Sequence, residues 1–370
     1  MKAGWQTKAL GDVCQVIGGG TPSKDKVTYY NGDIPWATVR DMRSEVISKT
    51  ECSITKEAVK SSSTNIIPGG NVVIATRVGL GKVCLLAQDT AINQDLRGIV
   101  PNNPQTLSVR FLFHWLKSVA HLIVAEGTGA TVQGVKLPFV KSLQVPLPPL
   151  PEQQRIVGIL DAAFDGIATA KANAEQNLQN ARALFESHLH SLDAEKVSLG
   201  ELANITTGKL DANAAVANGQ YPFFTCSREI YAINNYAFDC EAILLAGNNA
   251  VGDFNVKHYK GKFNAYQRTY VITVNEKNRV LYRFLYFQML KSLKQFKEQS
   301  VGAGTKFLKL GMIKDMQIAL PSLVEQQRIV STMDSIREET QRLEFLYQRK
   351  LAALDELKKS LLHQAFSGAL

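Results

Sequence analysis

The chain has 370 residues, of which 45% are apolar and 20% are charged, and its formal net charge is +9. This length and composition predict a soluble globular protein of two to three domains. It lacks a run of about 18 apolar residues, and its start (MKAGWQTKAL) lacks the apolar core of a signal peptide. Because the five cysteines are widely spaced and form no CxxC pair, we expect them to be reduced, buried and structural, in a cytoplasmic protein.

Residues 1–150 have the pattern of a mixed, strand-rich domain. A short segment, Leu10–Val13, opens it and is followed by a glycine-rich loop (GGGTPS, 18–23). Apolar β-branched runs flanked by Asn or Gly predict strands at 71–76 and 83–87. An amphipathic pattern predicts one short helix over 109–124.

Residues 151–192 have the pattern of a long helix. Apolar residues recur at alternating spacings of four and three, which is typical of a two-stranded coiled coil. Pro151 and Glu152 suit the first turn, through a fixed φ and a negative charge. The seam positions are Ile156, Leu160, Ala163, Ile167, Ala170, Ala174, Ala181 and Leu184.

Residues 193–324 repeat the order of the first domain more loosely. Residues 199–202 correspond to the opening segment, 206–209 to the glycine loop, 242–246 to the first strand and 279–290 to the helix. The offset falls from 189 residues at the front to 173 at the back, so the second domain is about 16 residues shorter.

Residues 325–370 form a second long helix that repeats the start of the first. Residues 152–157 (EQQRIV) recur at 325–330, which indicates an internal duplication. Ser322 with Glu325 predicts a capping box, and Gly368 a left-handed cap at the end. The second seam is Ile329, Met333, Ile336, Leu343, Tyr347, Leu354, Leu357 and Leu361.

Chain connectivity favours an antiparallel pair of helices. The second domain joins the end of the first helix to the start of the second, and each helix of about 40 residues is roughly 60 Å long. A domain of about 130 residues, with a radius of gyration near 14 Å, spans that length with difficulty. We therefore predict an α+β fold in which two domains lie at opposite ends of an antiparallel two-helix coiled coil, with pseudo-two-fold symmetry.

The basic excess lies in the domains and not in the helices. Residues 1–150 carry 16 Lys and Arg against 10 Asp and Glu (+6), and residues 193–324 carry 16 against 11 (+5). The helical segments 151–192 and 325–370 carry 3 against 5 (−2) and 7 against 7 (0). This sorting indicates a polyanionic partner for both domains. A basic protein without such a partner is the alternative.

Motifs for catalysis are missing from the sequence. The chain has no [DN]PP[YF] tetrapeptide, which an adenine methyltransferase needs to hold an extruded base. Neither Gly81-Lys82 nor Gly208-Lys209 completes a phosphate-binding loop, and the six histidines show no metal-ligand spacing with cysteines. We expect a non-catalytic chain without its own cofactor or metal.

The loops of both domains combine hydrogen-bonding side chains with Lys and Arg, which is the mixture that reads base edges and neutralises phosphates in DNA. For any one residue, an ordinary exposed loop role is the alternative. The candidates in the first domain are Thr21, Ser23, Lys24, Thr38, Arg40, Thr76, Arg77, Lys82, Asn93, Gln94, Arg97, Thr131 and Lys136. Those in the second are Lys209, Thr225, Ser227, Arg228, Asn248, Asn249, Tyr266, Gln267, Arg268, Thr305 and Lys306.

Four motifs resemble the specificity subunit of a type I restriction–modification system. They are the two LPxLxEQQRIV-like helix starts, the opening IxGGGTPS, the segment NAYQR at 264–268 and the tail LLHQAFSG at 361–368. The resemblance covers the whole chain, and its strongest parts are the helix starts and the tail. It implies two target recognition domains (1–150 and 193–324), each reading one half of a split DNA sequence, and two helices (151–192 and 325–370) that set the spacer.

The resemblance also implies the partners. Two modification subunits, which carry S-adenosylmethionine, would bind the helical scaffold, and a restriction subunit that uses ATP and Mg²⁺ would join later. We predict the scaffold contact at the helix starts, at Glu152, Gln153, Arg155, Glu325, Gln326 and Arg328. Two rival functions are a stand-alone fused methyltransferase, disfavoured because no catalytic domain is present, and a coiled-coil adaptor that binds protein. The target bases and the spacer length do not follow from the sequence.

Overall fold

The computed structural model describes residues 4–128, 134–189, 194–302 and 304–370. The chain divides into two compact units, Met1–Asn173 with Lys350–Leu370, and Ala174–Arg349. Each unit holds one strand-rich domain and a part of each long helix. The domain boundaries inferred from the sequence stay a prediction.

The first unit contains the strands β1 to β11. Their bounds are β1 Gln6–Ala9, β2 Cys14–Gly18, β3 Ile34–Ala37, β4 Val46–Ile47, β5 Cys52–Ile54, β6 Asn65–Ile67, β7 Val72–Ala75, β8 Val83–Leu86, β9 Thr90–Ile92, β10 Leu96–Pro101 and β11 Gln144–Leu147. β1 pairs antiparallel with β11, a five-stranded sheet has the order β2-β10-β7-β8-β4, and a four-stranded sheet has the order β5-β3-β9-β6.

Short helices accompany these sheets. They are α1 Leu10–Val13, α2 Lys56–Lys60, α3 Val109–Ser118, α4 Ala120–Ala125 and α5 Leu137–Ser142, with single 3-10 turns at Val27–Tyr30 and Val39–Asp41. The helix predicted over 109–124 is wrong in one respect, since it breaks at Val119 into α3 and α4. At this break the Ser118 hydroxyl donates to the carbonyl of Trp115 (2.7 Å), which also accepts a hydrogen bond from Val119 N (3.1 Å).

Strands β7 and β8 are buried along their whole length because both faces of their sheet are covered. Val72 and Ile74 lie in the core cluster that contains Phe111 and Trp115 of α3. Val73 alternates to the other face, in a cluster with residues of the four-stranded sheet. The unbroken apolar runs of these strands therefore follow from the packing, and both predicted strands are confirmed.

The second unit contains β12 to β21. Their bounds are β12 Lys196–Ser198, β13 Ala203–Thr207, β14 Tyr221–Phe224, β15 Tyr231–Ile233, β16 Phe238–Ala246, β17 Asn248–Asn249, β18 Val256–Ala265, β19 Thr269–Val274, β20 Lys306–Phe307 and β21 Gln317–Ala319. The main sheet has the order β13-β19-β16-β18-β14-β15, and the pairs β12-β21 and β17-β20 lie apart from it. The helices are α7 Leu199–Leu202, α8 Tyr282–Gln299 and α9 Leu310–Lys314, with a 3-10 turn at Ala212–Ala214.

The second sheet repeats the first with one simplification. The neighbours β13-β19-β16 match β2-β10-β7, and β14 pairs parallel with β18 as β3 pairs with β9. The ten-residue β18 takes the places of both β8 and β9, which shortens the domain. The helix predicted at 279–290 begins and ends later, at Tyr282 and Gln299.

The long helices are α6 (Leu150–Leu189) and α10 (Leu323–Ser367). Ser322 Oγ accepts a hydrogen bond from Glu325 N (3.4 Å), which is one half of the predicted capping box, while the Glu325 carboxylate bonds to Arg328. Gly368 has φ 82°, in agreement with the predicted left-handed cap. In the first unit the Arg155 guanidinium donates to the carbonyl of Leu370 (2.8 Å), while Lys171 pairs with Asp355. Because the residue number falls on α10 as it rises on α6, the two helices run antiparallel within this unit.

Most positions of the two predicted seams are buried or half-buried, and the prediction is wrong at two of them. Ile156, Leu160 and Met333 are buried, but Leu184 is 52% exposed and Leu357 is 46% exposed. Phe164, which is not a seam position, is buried instead, because the first half of α6 also packs against the core of the first domain. Within the described residues, no helix is long and apolar enough to cross a membrane.

Candidate nucleic-acid interface

Strand register brings the predicted loops of the first domain to one edge of the five-stranded sheet. β2 ends at Gly18 opposite Arg97, and β7 ends at Ala75 opposite Leu96. Since β10 begins where its two neighbours end, the loops that hold Thr21, Thr76 and Gln94 meet at this edge. These residues are distant in sequence and only the sheet unites them.

A turn at residues 93–95, here called the first edge turn, lies at the centre of this edge. Asn93 N donates to the carbonyl of Ala37 (3.0 Å), and the carbonyl of Asp95 accepts from Thr76 N (2.8 Å). Val135 N in turn donates to the carbonyl of Thr76 (2.8 Å). Backbone groups therefore hold the turn in place. The exposed side chain of the turn, Gln94, is not needed for this frame.

The second edge turn, residues 266–268, has the same frame. Tyr266 N donates to the carbonyl of Phe224 (2.9 Å), and the carbonyl of Arg268 accepts from Gly247 N (2.8 Å). Leu308 N donates to the carbonyl of Gly247 (2.9 Å). The offset between the two helix starts also relates 93–95 to 266–268 and Val135 to Leu308, so the duplication extends to the geometry of the edge.

A glycine allows the close approach of a loop in both domains. A Cβ on Gly19 would lie 2.2 Å from the carbonyl oxygen of Asn93, and one on Gly208 would lie 1.8 Å from that of Ala265. Side chains other than hydrogen do not fit at these distances. The glycine loops seen in the sequence are thus required by packing against the strand end and the edge turn.

The first edge turn is surrounded by charge. The Arg77 guanidinium lies 3.7 Å from the carboxylate of Asp95, and the Thr21 hydroxyl donates to the side chain of Gln94. Arg97 donates to the carbonyls of Gln94 (2.9 Å) and Leu96 (2.7 Å). Burial, followed by the nearby Arg77, lowers the pKa of Arg97. The cluster therefore combines two guanidinium groups, one carboxylate and one exposed amide.

The second edge turn presents a different set. The guanidinium of Arg268 lies over the Phe307 ring, 5.2 Å from its centroid, and Gln267 is exposed. Asn248 and Asn249 form β17, opposite Phe307 and Lys306 of β20. The pairing of β17 with β20 therefore brings Asn248, Asn249 and Lys306 into the neighbourhood of Arg268, which stands where the first domain has Asp95.

Several other candidates are exposed on their own domains. Lys82 donates to the carbonyl of Met42 (3.4 Å), and Arg228 makes two hydrogen bonds to the carboxylate of Asp253 (2.8 and 2.7 Å). The remaining exposed candidates are Ser23, Lys24, Arg40, Lys136 and Lys209, while Thr305 is half-buried. Thr131 lies outside the described residues.

Some candidates are used inside the protein, and their predicted base contacts need revision. Thr76 is 2% exposed and Thr225 is 6% exposed, so neither side chain reaches a surface ligand. Asn249 Oδ1 accepts from Val251 N (2.9 Å) and Asp253 N (3.0 Å), and Thr38 Oγ1 caps a 3-10 turn. These four residues shape the loops, because short polar side chains readily bond to nearby backbone.

Lys257, which no sequence pattern predicted, supports the loop that holds Arg228. Its ammonium donates to the carbonyl of Ser227 (2.6 Å), within the loop that holds Arg228. Burial lowers the pKa of Lys257. No sequence signal identified this lysine, since its strand is remote in sequence from the loop that it supports.

At the helix starts the glutamines are buried and the charged residues are not. Gln153 is 0% exposed; its Oε1 accepts from Ser108 N (2.9 Å), and its Nε2 donates to the carbonyls of Thr106 (2.8 Å) and Pro148 (2.9 Å). Since these contacts use its amide within the chain, the partner contact predicted for Gln153 needs revision.

Gln326 repeats this arrangement in the second unit. It is 0% exposed, its Oε1 accepts from Leu281 N (2.9 Å), and its Nε2 donates to the carbonyls of Arg279 (3.0 Å) and Pro321 (2.9 Å). The partner contact predicted for Gln326 therefore needs the same revision. The neighbouring pairs Glu152–Arg155 and Glu325–Arg328 form bidentate hydrogen bonds at the surface, and the partner prediction rests on these charged residues.

Two domains of one frame, each with its own polar edge turn and joined to a long helix, define a duplicated recognition protein. The family model described as Type I restriction modification DNA specificity domain matches residues 2–180 and 192–348, so the chain belongs to this family. The family predicted from the helix starts and the tail is confirmed. Subunits of this kind are the non-catalytic components of their systems.

Several named specificity subunits are similar in sequence. The EcoDI subunit of Escherichia coli is 41% identical over 179 residues, which cover 48% of this chain and 39% of the relative. The EcoR124I/EcoR124II subunit of the same organism is 37% identical over 44% of this chain and 41% of the relative. The chain thus spans less than half the length of these two relatives. The MjaIX subunit of Methanocaldococcus jannaschii is 24% identical over 99% of this chain and 93% of the relative.

Two solved structures share the fold. A chain from a study of complex assembly and conformational transition in the type I R-M system has a TM-score of 0.81 at 20% identity, covering 100% of this chain and 99% of that one. The HsdS subunit of Thermoanaerobacter tengcongensis has a TM-score of 0.60 at 19% identity, covering 100% and 98%.

Proposed function

We propose that this chain is the sequence-specific DNA-binding subunit of a type I restriction–modification enzyme and reads a target in two halves. The observation that carries the proposal is the pair of edge turns, which share a backbone frame and a central glutamine and differ in the flanking side chains. Each lies in a domain with a basic excess, +6 in residues 1–150 and +5 in residues 193–324. A repeated frame with unlike side chains suits two unlike half-sites.

Each edge turn would supply direct readout of bases in the major groove. The exposed amides of Gln94 and Gln267 occupy the same place in the two turns, and a glutamine amide pairs with the adenine edge. Arg77, Arg97 and Arg268 would read guanine or contact phosphate, while surrounding lysines neutralise the backbone. The rest of the first set (Ser23, Lys24, Arg40, Lys82, Lys136) and of the second (Lys209, Ser227, Arg228, Asn248, Thr305, Lys306) would position the duplex.

The long helices would set the spacer between the half-sites. We propose that α6 and α10 pair as an antiparallel coiled coil that holds the domains at opposite ends with pseudo-two-fold symmetry. The antiparallel contacts of the first unit support this pairing, as does the contact between Arg182 and Glu344 (2.6 Å) in the second. Domains that contact half-sites one turn apart, about 34–36 Å, would face the same side of the duplex.

Catalysis would come from partners in the cytoplasm. Two modification subunits with S-adenosylmethionine would bind the helical scaffold, and a restriction subunit with ATP and Mg²⁺ would join them. The exposed pairs at the helix starts, and Phe345 and Leu346 of α10 at 62% and 50% exposure, support a protein-binding role for the helices.

Sequencing the sites methylated by helix-insertion and domain-swap variants tests the proposal. Lengthening both helices equally is expected to lengthen the spacer and leave the half-site bases unchanged. Replacing residues 199–323 by the domain of a relative is expected to change one half-site only. An altered half-site with an unchanged spacer, or both halves changing together, contradicts it. Absence of salt-dependent DNA affinity would favour the protein-binding adaptor.

A further inference from the structure

Each domain is held to its long helix at two points on one short helix. In the first unit the buried Gln153 binds the backbone just before α3, and Asp161 on α6 lies 2.6 Å from Arg110 Nη2 and 2.7 Å from His114 Nε2. Arg110 and His114 both belong to α3. The glutamine and the aspartate eight positions later are here called the two-point clamp.

The second unit contains the same clamp at the equivalent positions of α8 and α10. Gln326 binds the backbone just before α8, and Asp334 accepts a hydrogen bond from Arg283 Nε of α8 (2.9 Å). The contacts of the clamp are therefore repeated together with its residue types. Among the residues named here, the difference is at Phe287, which stands where the first unit has His114.

Two attachment points fix the orientation of the short helix relative to the long helix, whereas a single point would let the short helix rotate about it. The two members of a clamp are separated by roughly 12 Å along the axis of an α-helix. The glutamine amide is fully buried, and its oxygen and nitrogen bond to three backbone groups, so rotation of the short helix breaks hydrogen bonds.

We propose that the two-point clamps are positioning elements that fix the spacer length, while the edge turns choose the bases. This inference rests on the proposed function. Consecutive base pairs differ by about 3.4 Å along the axis and by about a tenth of a turn. A domain that can tilt on its helix therefore reaches half-sites one base pair nearer or farther without any change at its edge turn.

The experiment compares the buried and exposed glutamines of each helix start. Gln153→Leu and Gln326→Leu remove the buried amide, and Gln154→Leu and Gln327→Leu are matched controls at the next, exposed position. Methylated sites are sequenced for each variant assembled with its modification subunits. We expect the buried variants to methylate sites with spacers one base pair shorter and longer, at a tenth or more of the normal frequency, with the half-site bases unchanged. The controls should keep one spacer.

A charge exchange gives a second test that leaves the core intact. Arg283 and Asp334 are 34% and 41% exposed, so the single variants Arg283→Asp and Asp334→Arg are expected to fold. Each should broaden the spacer, and the double variant should narrow it again. A purely structural role would lower total methylation without broadening, and that result overturns the inference.

The outcomes separate the two proposals. If the wild-type chain, assembled with its modification subunits, directs methylation to sites without two halves and a fixed spacer, the proposed function itself is contradicted. If the wild-type assembly has a fixed spacer and the clamp variants keep the same spacer, only the role of the clamp is contradicted. If Gln326→Leu does not fold, the charge exchange decides between these results.

Discussion

The helix attachments and the edge turns of the two domains show opposite behaviour. The attachments repeat the glutamine, the aspartate and the arginine, with Gln153 and Gln326 in the same three hydrogen bonds, and they differ at His114, where the second unit has Phe287. The edge turns keep their backbone bonds and the central glutamine, but the flanking residues differ, and Asp95 in one is Arg268 in the other. The buried amides of the attachments are therefore repeated, while side chains on turns held by backbone hydrogen bonds have diverged on both sides of the glutamine.

The difference has a physical cause. A buried amide that satisfies three backbone groups cannot change without leaving them unsatisfied, which costs free energy at each group. An exposed side chain on a turn held by backbone hydrogen bonds carries no such constraint. The recognition surface can therefore vary while the attachment of each domain stays the same.

The greatest loss of stability is expected from substitutions of Gly19 and Gly208, which test whether both edges need the same close approach of a loop. Gly19→Val and Gly208→Val each force a Cβ into a backbone carbonyl, so we expect a loss of about 3 kcal/mol in the free energy of unfolding. Gly18→Val is the matched control, because a Cβ there meets nothing within 4 Å. Urea denaturation measures all three. Equal losses at Gly18 and Gly19 would contradict the close-approach explanation.

The next effect tests whether the glutamine shared by the two turns reads a separate half-site in each domain. Gln94→Ala and Gln267→Ala are each expected to remove about 1–3 kcal/mol of discrimination at one half-site, through the loss of an amide contact with a base. Competition binding with duplexes altered in one half at a time measures this. The two variants should affect opposite halves, and an identical effect of both on the same half would exclude the assignment.

A smaller, pH-dependent effect on stability is expected at His114, where the second unit has Phe287. Burial lowers the pKa of His114, against the opposing hydrogen bond to Asp161. Because the unfolded histidine has a pKa near 6.5, protons favour the unfolded chain as the pH falls through that value, and the first domain loses stability.

Replacing this histidine by the residue of the second domain should remove that dependence. His114→Phe copies Phe287, and we expect its thermal midpoint to fall less than that of the wild type between pH values of about 7.5 and 5.5. His121→Phe, at an exposed position, is the control and should keep the wild-type slope. If the thermal midpoint of His114→Phe fell more steeply than that of the wild type as the pH decreases, the lowered pKa assigned to His114 would be wrong.

The smallest effect on stability is expected at the surface pairs of the helix starts. Arg155→Ala and Arg328→Ala remove exposed ion pairs, which contribute little to stability, so the thermal midpoint should not change measurably. Association with the modification subunits, measured by titration, should weaken several-fold. If the association is unchanged, Arg155 and Arg328 do not belong to the surface that binds the modification subunits.

Features encoded by neighbouring residues agree with the sequence-based predictions, and features that depend on residues remote in sequence do not. The helix starts, the capping residue Ser322 and the strands at 72–75 and 83–86 follow from patterns within a few residues. The break at Val119 was not predicted, because apolar residues continue through this position into α4. Burial of Thr76 and Thr225 was missed too, since both residues look like exposed loop residues until the neighbouring loops are placed.

The duplication, the family and the basic character of the two domains follow from the order of the residues, because repeats, motifs and charge can be read along the chain. The inward orientation of Gln153 and Gln326, and the equivalent places of residues 93–95 and 266–268, follow only from the folded chain. Those facts depend on groups that are remote in sequence meeting at hydrogen-bonding distance, and the packing of strands and helices controls such distances.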